Sequence, residues 1–286
     1  METIFNTARL REIVAEWRRD GERVAFVPTM GNLHEGHIAL LARAHEVADR
    51  TVVSIFVNPI QFGRGEDYGT YPSTLEADQE KLSRRGLDVL FVPNLGELYP
   101  AGTEEDTRVS VPRLSRILCG KFRPDHFSGV ATVVTKLFFS VQPDYALFGE
   151  KDLQQLMVIR CMVDDLCIPI EIIGQPIVRE PDGLAMSSRN SYLSATERAV
   201  APVIYQNLQA AARELTGGNA DFRQVEGLCL ERLQSVGLKP EYFSIRRTSD
   251  LVEAELGERE LSILTAVWIG NARLIDNVQV KLDDGG

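Results

Sequence analysis

The chain is expected to fold as an α/β protein, with a Rossmann-like doubly wound parallel sheet followed by a smaller α+β unit at the carboxyl end. Three observations predict this. Short β-branched runs alternate with helical patterns over the first 180 or so residues, the order that builds βαβ units. One strand, Val24 to Val27, runs through a glycine-bearing turn into an amphipathic helix. Beyond Pro181 the order changes to two helices and then three strands.

Taken in order, Leu10, Ile13, Val14 and Trp17 recur at helical spacing, and Asp20-Gly21 ends that helix. Val24 to Val27 reads as a buried strand that Pro28-Thr-Met-Gly31 stops, because proline offers no N–H to a ladder. Leu40, Leu41, Ala44, Val47 and Ala48 mark the helix that follows. Thr51 to Val57 is a β-branched run of the kind covered on both faces in a parallel sheet. A polar loop leads from Asn58 to Pro72, then a helix with Leu75, Ala77 and Leu82, and the strand Asp88 to Val92. Arg108 to Val111 is expected as a short strand, Leu114 to Leu118 as a helical turn, and Gly120 to Gly129 as a polar loop carrying Lys121, Arg123 and His126. Val130 to Phe139 reads as a buried helix, and Asp144 to Phe148 as the next strand. Gly149 to Asp152 opens a helix through Leu156, Ile159 and Val163, and Ile170 to Val178 is the last strand of the sheet. The boundary falls between Val178 and Ser194, giving domains of 1–182 and 183–286. Ser194-Ala-Thr-Glu197 is a capping box opening a long helix. A helix near Phe222 to Leu233 and three strands, expected antiparallel, complete the chain (Glu241 to Arg247, Leu261 to Ile269, Ala272 to Leu282). No internal repeat or low-complexity tract is present.

Composition narrows the function. With 286 residues, 44% hydrophobic and 25% charged, the chain can bury a sizeable core. A formal net charge of −10, from 31 basic and 41 acidic side chains, argues against nucleic acid or an anionic membrane as partner. Cys119, Cys161, Cys167 and Cys229 form no C-x-x-C pair, so neither a zinc site nor a disulfide framework is indicated, and a reducing cytoplasm is the expected compartment. The amino terminus lacks signal-peptide character, and no apolar run approaches membrane-spanning length.

Polar residues gather after the strands. His34 and His37 lie three apart at a helix entrance, where free N–H groups and the dipole suit a phosphate. The zinc helix wants spacing of i, i+4 with a glutamate inside, and here the spacing is i, i+3; a chance pair in a polar helix start is the plain alternative. Two of only four histidines fall here, which favours function. Lys151 in a first helical turn faces the positive end of the dipole unless an anion is bound. Gln155 lies one turn beyond it. Gln61 and Gln155 together could hold a small polyhydroxy acid, since an amide both donates and accepts. Gly183 to Asn190 reads as a flexible hydroxyl-rich segment, either a plain linker or a loop that brings Arg189 to a triphosphate.

At these residues the chain resembles the pantothenate synthetase (pantoate–β-alanine ligase) family, of the nucleotidyltransferase superfamily that shares its catalytic fold with class I aminoacyl-tRNA synthetases. Pro28-Thr-Met-Gly-Asn-Leu-His-Glu-Gly-His37 is similar to that family's form of the HxGH signature, and Met186-Ser-Ser-Arg-Asn190 to its counterpart of the KMSKS loop. Asn58-Pro-Ile-Gln-Phe-Gly63, Phe148 to Gln155 and Arg123 to Gly129 also match. The resemblance implies ATP contacts from Met30, Gly31, Asn32, Leu33, His34, Glu35, Gly36 and His37, from Gly149, Glu150, Lys151 and Asp152, and from Val178, Met186, Ser187, Ser188 and Arg189. It implies pantoate at Gln61 and Gln155, β-alanine beside Gln61, and His37 as proton donor, with His34, Lys151 and Arg189 supporting the phosphates. Magnesium would accompany the nucleotide through protein ligands the sequence does not identify, and the family implies a homodimer. The reaction implied is ATP-dependent condensation of (R)-pantoate and β-alanine through a pantoyl-adenylate. A nucleotidyltransferase that stops after one transfer, and a nucleotide-sensing module on the same fold, are the rival readings.

Overall fold

The computed structural model describes residues 1–63 and 65–282. The chain divides into two compact units: Met1–Glu150 with Gln155–Pro176, and Lys151–Gln154 with Ile177 onward.

The first unit is a six-stranded, wholly parallel sheet in the order β1-β4-β3-β2-β5-β6. Its strands are β1 (Glu2–Ile4), β2 (Val24–Thr29), β3 (Arg50–Ile55), β4 (Val89–Phe91), β5 (Tyr145–Gly149) and β6 (Glu171–Gln175). The helices between them are α1 (Thr7–Arg19), α2 (Glu35–Val47), α3 (Leu75–Arg84), the short α4 (Leu95–Leu98), α5 (Pro112–Ser115) and α6 (Cys119–Phe122), then α7 (His126–Val141) and α8 (Leu153–Asp165). Alternate residues of each strand point to opposite faces, and both faces are covered. Ala25, Val27, Val53, Leu90 and Leu147 pack with Leu40, Leu41 and Ala44 of α2 and Leu82 of α3. Phe26 and Phe148 meet the ring of Phe138 from α7 on the other side, at 6.4 and 6.3 Å between centroids. That double cover is why these strands read as continuous apolar runs.

The second unit holds an antiparallel sheet of β7 (Lys239–Arg247), β8 (Glu260–Ile269) and β9 (Ala272–Lys281). The helices α9 (Ala195–Val200), α10 (Val203–Thr216) and α11 (Phe222–Ser235) precede it. Ile204, Leu208, Val225, Cys229 and Leu233 pack against Phe243, Ile245, Ile263, Val267 and Leu274. The expected fold class, a doubly wound α/β sheet with a small α+β domain, is the fold observed.

Several local expectations need correcting. β2 does not stop before Pro28 but pairs with β3 through Pro28–Ser54 and Thr29–Ile55. The Thr29 carbonyl accepts the Phe56 N–H from the β3 side, so Pro28's nitrogen faces β5, where pairing has already ended at Phe26–Ala146. The missing N–H therefore breaks no bond. Arg108 to Val111 forms no strand; the Val109 N–H donates to Thr132 Oγ1, and its carbonyl accepts from Ser128 Oγ. The expected loop Gly120 to Gly129 is largely helical, divided between α6 and the first turn of α7. The capping box at Ser194 and Glu197 is present, but the helix it opens is α9, six residues long. Pro202, which lacks an N–H, separates it from α10.

Candidate active site

In an open parallel sheet a ligand crevice forms beyond the carboxyl ends of the strands, where the order reverses. Here that point lies between β2 and β5, the ladder joining them being only two residue pairs long. The turn after β2 leads to His34 and then into the first turn of α2, which carries His37; Gly149 ends β5 and Glu150 follows it.

The turn is fastened from beneath by one carboxylate. Asp78 of α3 is 0% exposed, and it accepts the Asn32 and Leu33 amides at 2.8 and 2.9 Å and the Thr74 hydroxyl at 3.0 Å. Lys81, one turn on, donates to the Leu33 carbonyl at 2.6 Å. Gly31 and Asn32 take positive φ values of 82° and 51°. A Cβ at Gly31 would press on Ile55 Cγ2 at 3.1 Å and Asp78 Oδ2 at 3.3 Å, so glycine is required there on both counts.

The two histidines cap α2 reciprocally. His34 Nδ1 accepts the Gly36 N–H at 3.1 Å, and His37 Nδ1 accepts the His34 N–H at 3.3 Å, with ring centroids 4.2 Å apart. An Nδ1 that accepts leaves the neutral ring's proton on Nε2. Each imidazole is therefore set as an Nε2–H donor. The expectation of free backbone N–H groups at this helix entrance is corrected: the Asn32, Leu33, His34 and Gly36 amides are bonded to protein side chains.

Gln61, in the 3-10 turn Pro59–Gln61, is buried against Asn58 and Met30. Its carbonyl is 2.8 Å from His126 Nδ1 and 3.4 Å from Arg123 Nη2. Arg123 is clamped by Glu66 through pairs at 2.6 and 2.5 Å. Burial pushes the Glu66 carboxyl up, but the Arg123 hydrogen bonds and charge outweigh it, and its pKa lies below the ordinary value. Gln155 lies in the first turn of α8, in the same unit.

The remaining site residues lie in the second unit. Lys151 and Asp152 belong to the 3-10 turn Glu150–Asp152 that precedes α8, where a helix start was expected. Lys151 Nζ lies 3.5 Å from Asp152, and its carbonyl accepts Asn277 Nδ2 at 3.1 Å. The structure does bring Val178 beside Met186, whose N–H donates to the Val178 carbonyl at 3.0 Å. Arg179, next to Val178, is bonded doubly to buried Asp276 at 2.7 and 2.9 Å and stacks 3.7 Å over Tyr205. Ser187 caps the 3-10 turn Ser188–Tyr192 by accepting the Arg189 N–H. Among the described residues no group of three or more histidine, cysteine, aspartate or glutamate side chains could hold a metal ion.

Sequence reasoning missed Asp78 and Tyr99, and noted Asn58, Arg123 and His126 without a role. Asp78 did leave a signal: it falls with Leu75 and Leu82 on the i, i+3, i+7 stripe of α3, where a buried carboxylate must have partners.

The family model for pantoate–β-alanine ligase matches residues 2–279. The chain belongs to the pantoate–β-alanine ligase family. It is 54% identical over 283 residues to the pantothenate synthetase of Pseudomonas fluorescens (strain Pf0-1), covering 99% of each chain. With that of Thioalkalivibrio sulfidiphilus it shares 52% over 286 residues and all of both chains. The crystal structure of the Thermus thermophilus pantothenate synthetase superposes with a TM-score of 0.91 at 44% identity, covering 97% of this chain and 99% of that one. The Francisella tularensis pantoate–β-alanine ligase, solved in complex with beta-gamma ATP and β-alanine, gives 0.81 at 36% identity and 97% of each chain. As a ligase of this family the chain is an ATP-binding enzyme of pantothenate biosynthesis. No helix among the described residues is long and apolar enough to cross a membrane.

Proposed function

We propose that this ligase condenses (R)-pantoate with β-alanine at the expense of ATP, through a pantoyl-adenylate, releasing pyrophosphate and AMP. The observation that carries the proposal is the match over 97% of the chain to a ligase solved with beta-gamma ATP and β-alanine, joined to a histidine pair set as Nε2–H donors at the head of α2.

Chemistry requires activation, because a carboxylate oxygen is not displaced by an amine in water. In the first half-reaction the pantoate carboxylate attacks the α-phosphorus, the bond to the bridging oxygen breaks, and pyrophosphate leaves with the charge. In the second, the neutral amine of β-alanine attacks the acyl carbon, AMP departs, and the amine's proton is lost. His37 is proposed as the donor to the leaving phosphate oxygens. His34, Lys151 and Arg189 stabilise the same charge, and such positioned donors are the usual means of accelerating phosphoryl chemistry. Met30 to His37, Gly149 to Asp152, Val178 and Met186 to Arg189 are the proposed ATP contacts, and Gln61 and Gln155 the pantoate contacts. Magnesium would accompany the nucleotide and would help neutralise charge on its phosphates.

The test is an end-point assay omitting pantoate, β-alanine or ATP in turn. Pantothenate and AMP in equal amounts, only with all three present, supports the proposal; AMP release that ignores pantoate sinks it. A homodimer belongs to the same proposal, and sedimentation velocity reads it.

A further inference from the structure

Behind Gln61 lies a buried relay whose polarity can be read without ambiguity. Asn58, Tyr99 and Gln61 are 1%, 2% and 8% exposed. The relay starts at the Gly129 carbonyl, which can only accept. The Asn58 atom 3.1 Å from it must therefore be Nδ2. That places Asn58 Oδ1 against the Tyr99 hydroxyl at 2.8 Å, and since an amide oxygen cannot donate, the phenol must. Burial pushes the Tyr99 phenol above its ordinary pKa, so it keeps the proton it donates. Asn58 Nδ2 has a second N–H, directed at the Gln61 amide 3.1 Å away. An NH2 group cannot accept, so the Gln61 atom it meets is Oε1. Gln61 Nε2 consequently turns outward, to 2.9 Å from the sulfur of Met30, a weak acceptor.

A glutamine side chain is ordinarily free to present either end of its amide. This one is not: reversing it would set Nε2 against buried Asn58 Nδ2, donor against donor. Nor can Asn58 turn to accommodate it, since that would put Oδ1 against the Gly129 carbonyl. We infer that Gln61 presents its Nε2 donor to the acid substrate, its polarity imposed by the Gly129 carbonyl and the Tyr99 hydroxyl through Asn58. Nε2 pairs with a carboxylate oxygen or the lone pair of a hydroxyl. Tyr99 is then a positioning residue that acts through two intervening amides. This rests on the proposed role of Gln61 at pantoate.

The experiment joins NMR of the amide side chains to steady-state kinetics on the full-length enzyme. The Gln61 NH2 resonances are assigned by their loss in Gln61→Met. Saturating pantoate is expected to move one of these protons downfield, since a carboxylate oxygen is a better acceptor than a thioether. Tyr99→Phe keeps the ring and deletes the hydroxyl. It should raise the pantoate KM about 3- to 10-fold, the range for one neutral hydrogen bond, leave the ATP KM within about twofold, and shrink the Gln61 shift. Gln61 protons unmoved by pantoate in an enzyme that turns pantoate over would overturn the inference. So would a Tyr99→Phe enzyme whose pantoate and ATP constants change alike, because that marks a merely structural tyrosine. An enzyme that fails to consume pantoate at all removes the proposed function instead, so the two failures are distinct.

Discussion

Asp78 receives the amides of Asn32 and Leu33 and the hydroxyl of Thr74 with no exposure to water. Removing it by Asp78→Ala leaves those donors buried and unmatched, at roughly 1–3 kcal/mol for each such group. A loss of about 3 kcal/mol in urea unfolding is expected, with Asp78→Asn falling between it and the native enzyme because the amide keeps one accepting oxygen. Glu66 makes a prediction in pH. Its folded pKa lies below the ordinary value through Arg123, so the unfolded state binds the proton more tightly. Its contribution is complete above the unfolded value of about 4.3 and is lost as pH falls through the folded one. Glu66→Gln is therefore expected to cost about 2 kcal/mol at pH 7, and the gap to the native enzyme should close in denaturant melts below about pH 4. A gap unchanged down to about pH 3 would contradict this. At this scale the sequence was partly legible. The spacing of His34 and His37 pointed to one helix end, but their mutual capping, which sets both rings' tautomers, depends on backbone geometry that spacing alone does not carry. Asp78 lay hidden among the acidic residues of α3 and shows its part only when its burial is known.

Between elements, α7 crosses the 3-10 turn Pro59–Gln61 at Gly129. A Cβ there would lie 2.5 Å from the Ile60 carbonyl oxygen and 2.7 Å from Gln61 Cα. Alanine would favour the helix by about 1 kcal/mol, but the atoms in its way are backbone and cannot give. Gly129→Ala is thus expected to destabilise by about 1–3 kcal/mol and to raise the pantoate KM more than the ATP KM. Thermal unfolding and initial rates check both, and an unchanged pantoate KM would show that the turn moves without consequence. The long periodic elements were legible, since covered parallel strands and amphipathic helices each leave a pattern of their own. The misses have separate causes. β1 is three residues long, too short to show a period, and Pro28 sits in a strand because its neighbour has already left the ladder. Pro202 was overlooked inside an otherwise helical run.

For the molecule as a whole, His34 and His37 lie in the first compact unit, and Lys151 and Arg189 in the second. The fold class was legible because the change from alternating strands and helices to helices followed by antiparallel strands is itself a sequence pattern. The tie that counts Lys151 with the second unit was not, since Asn277 lies 126 residues further on. The central claim is that His37 and Lys151 serve the adenylation step proposed above. It is tested most directly by exchange of labelled pyrophosphate into ATP with β-alanine left out. The native enzyme should exchange only when pantoate is present, and His37→Ala and Lys151→Ala should each slow that exchange by about 10²-fold or more. Exchange that needs no pantoate, or that runs at native rates in both variants, would contradict the account.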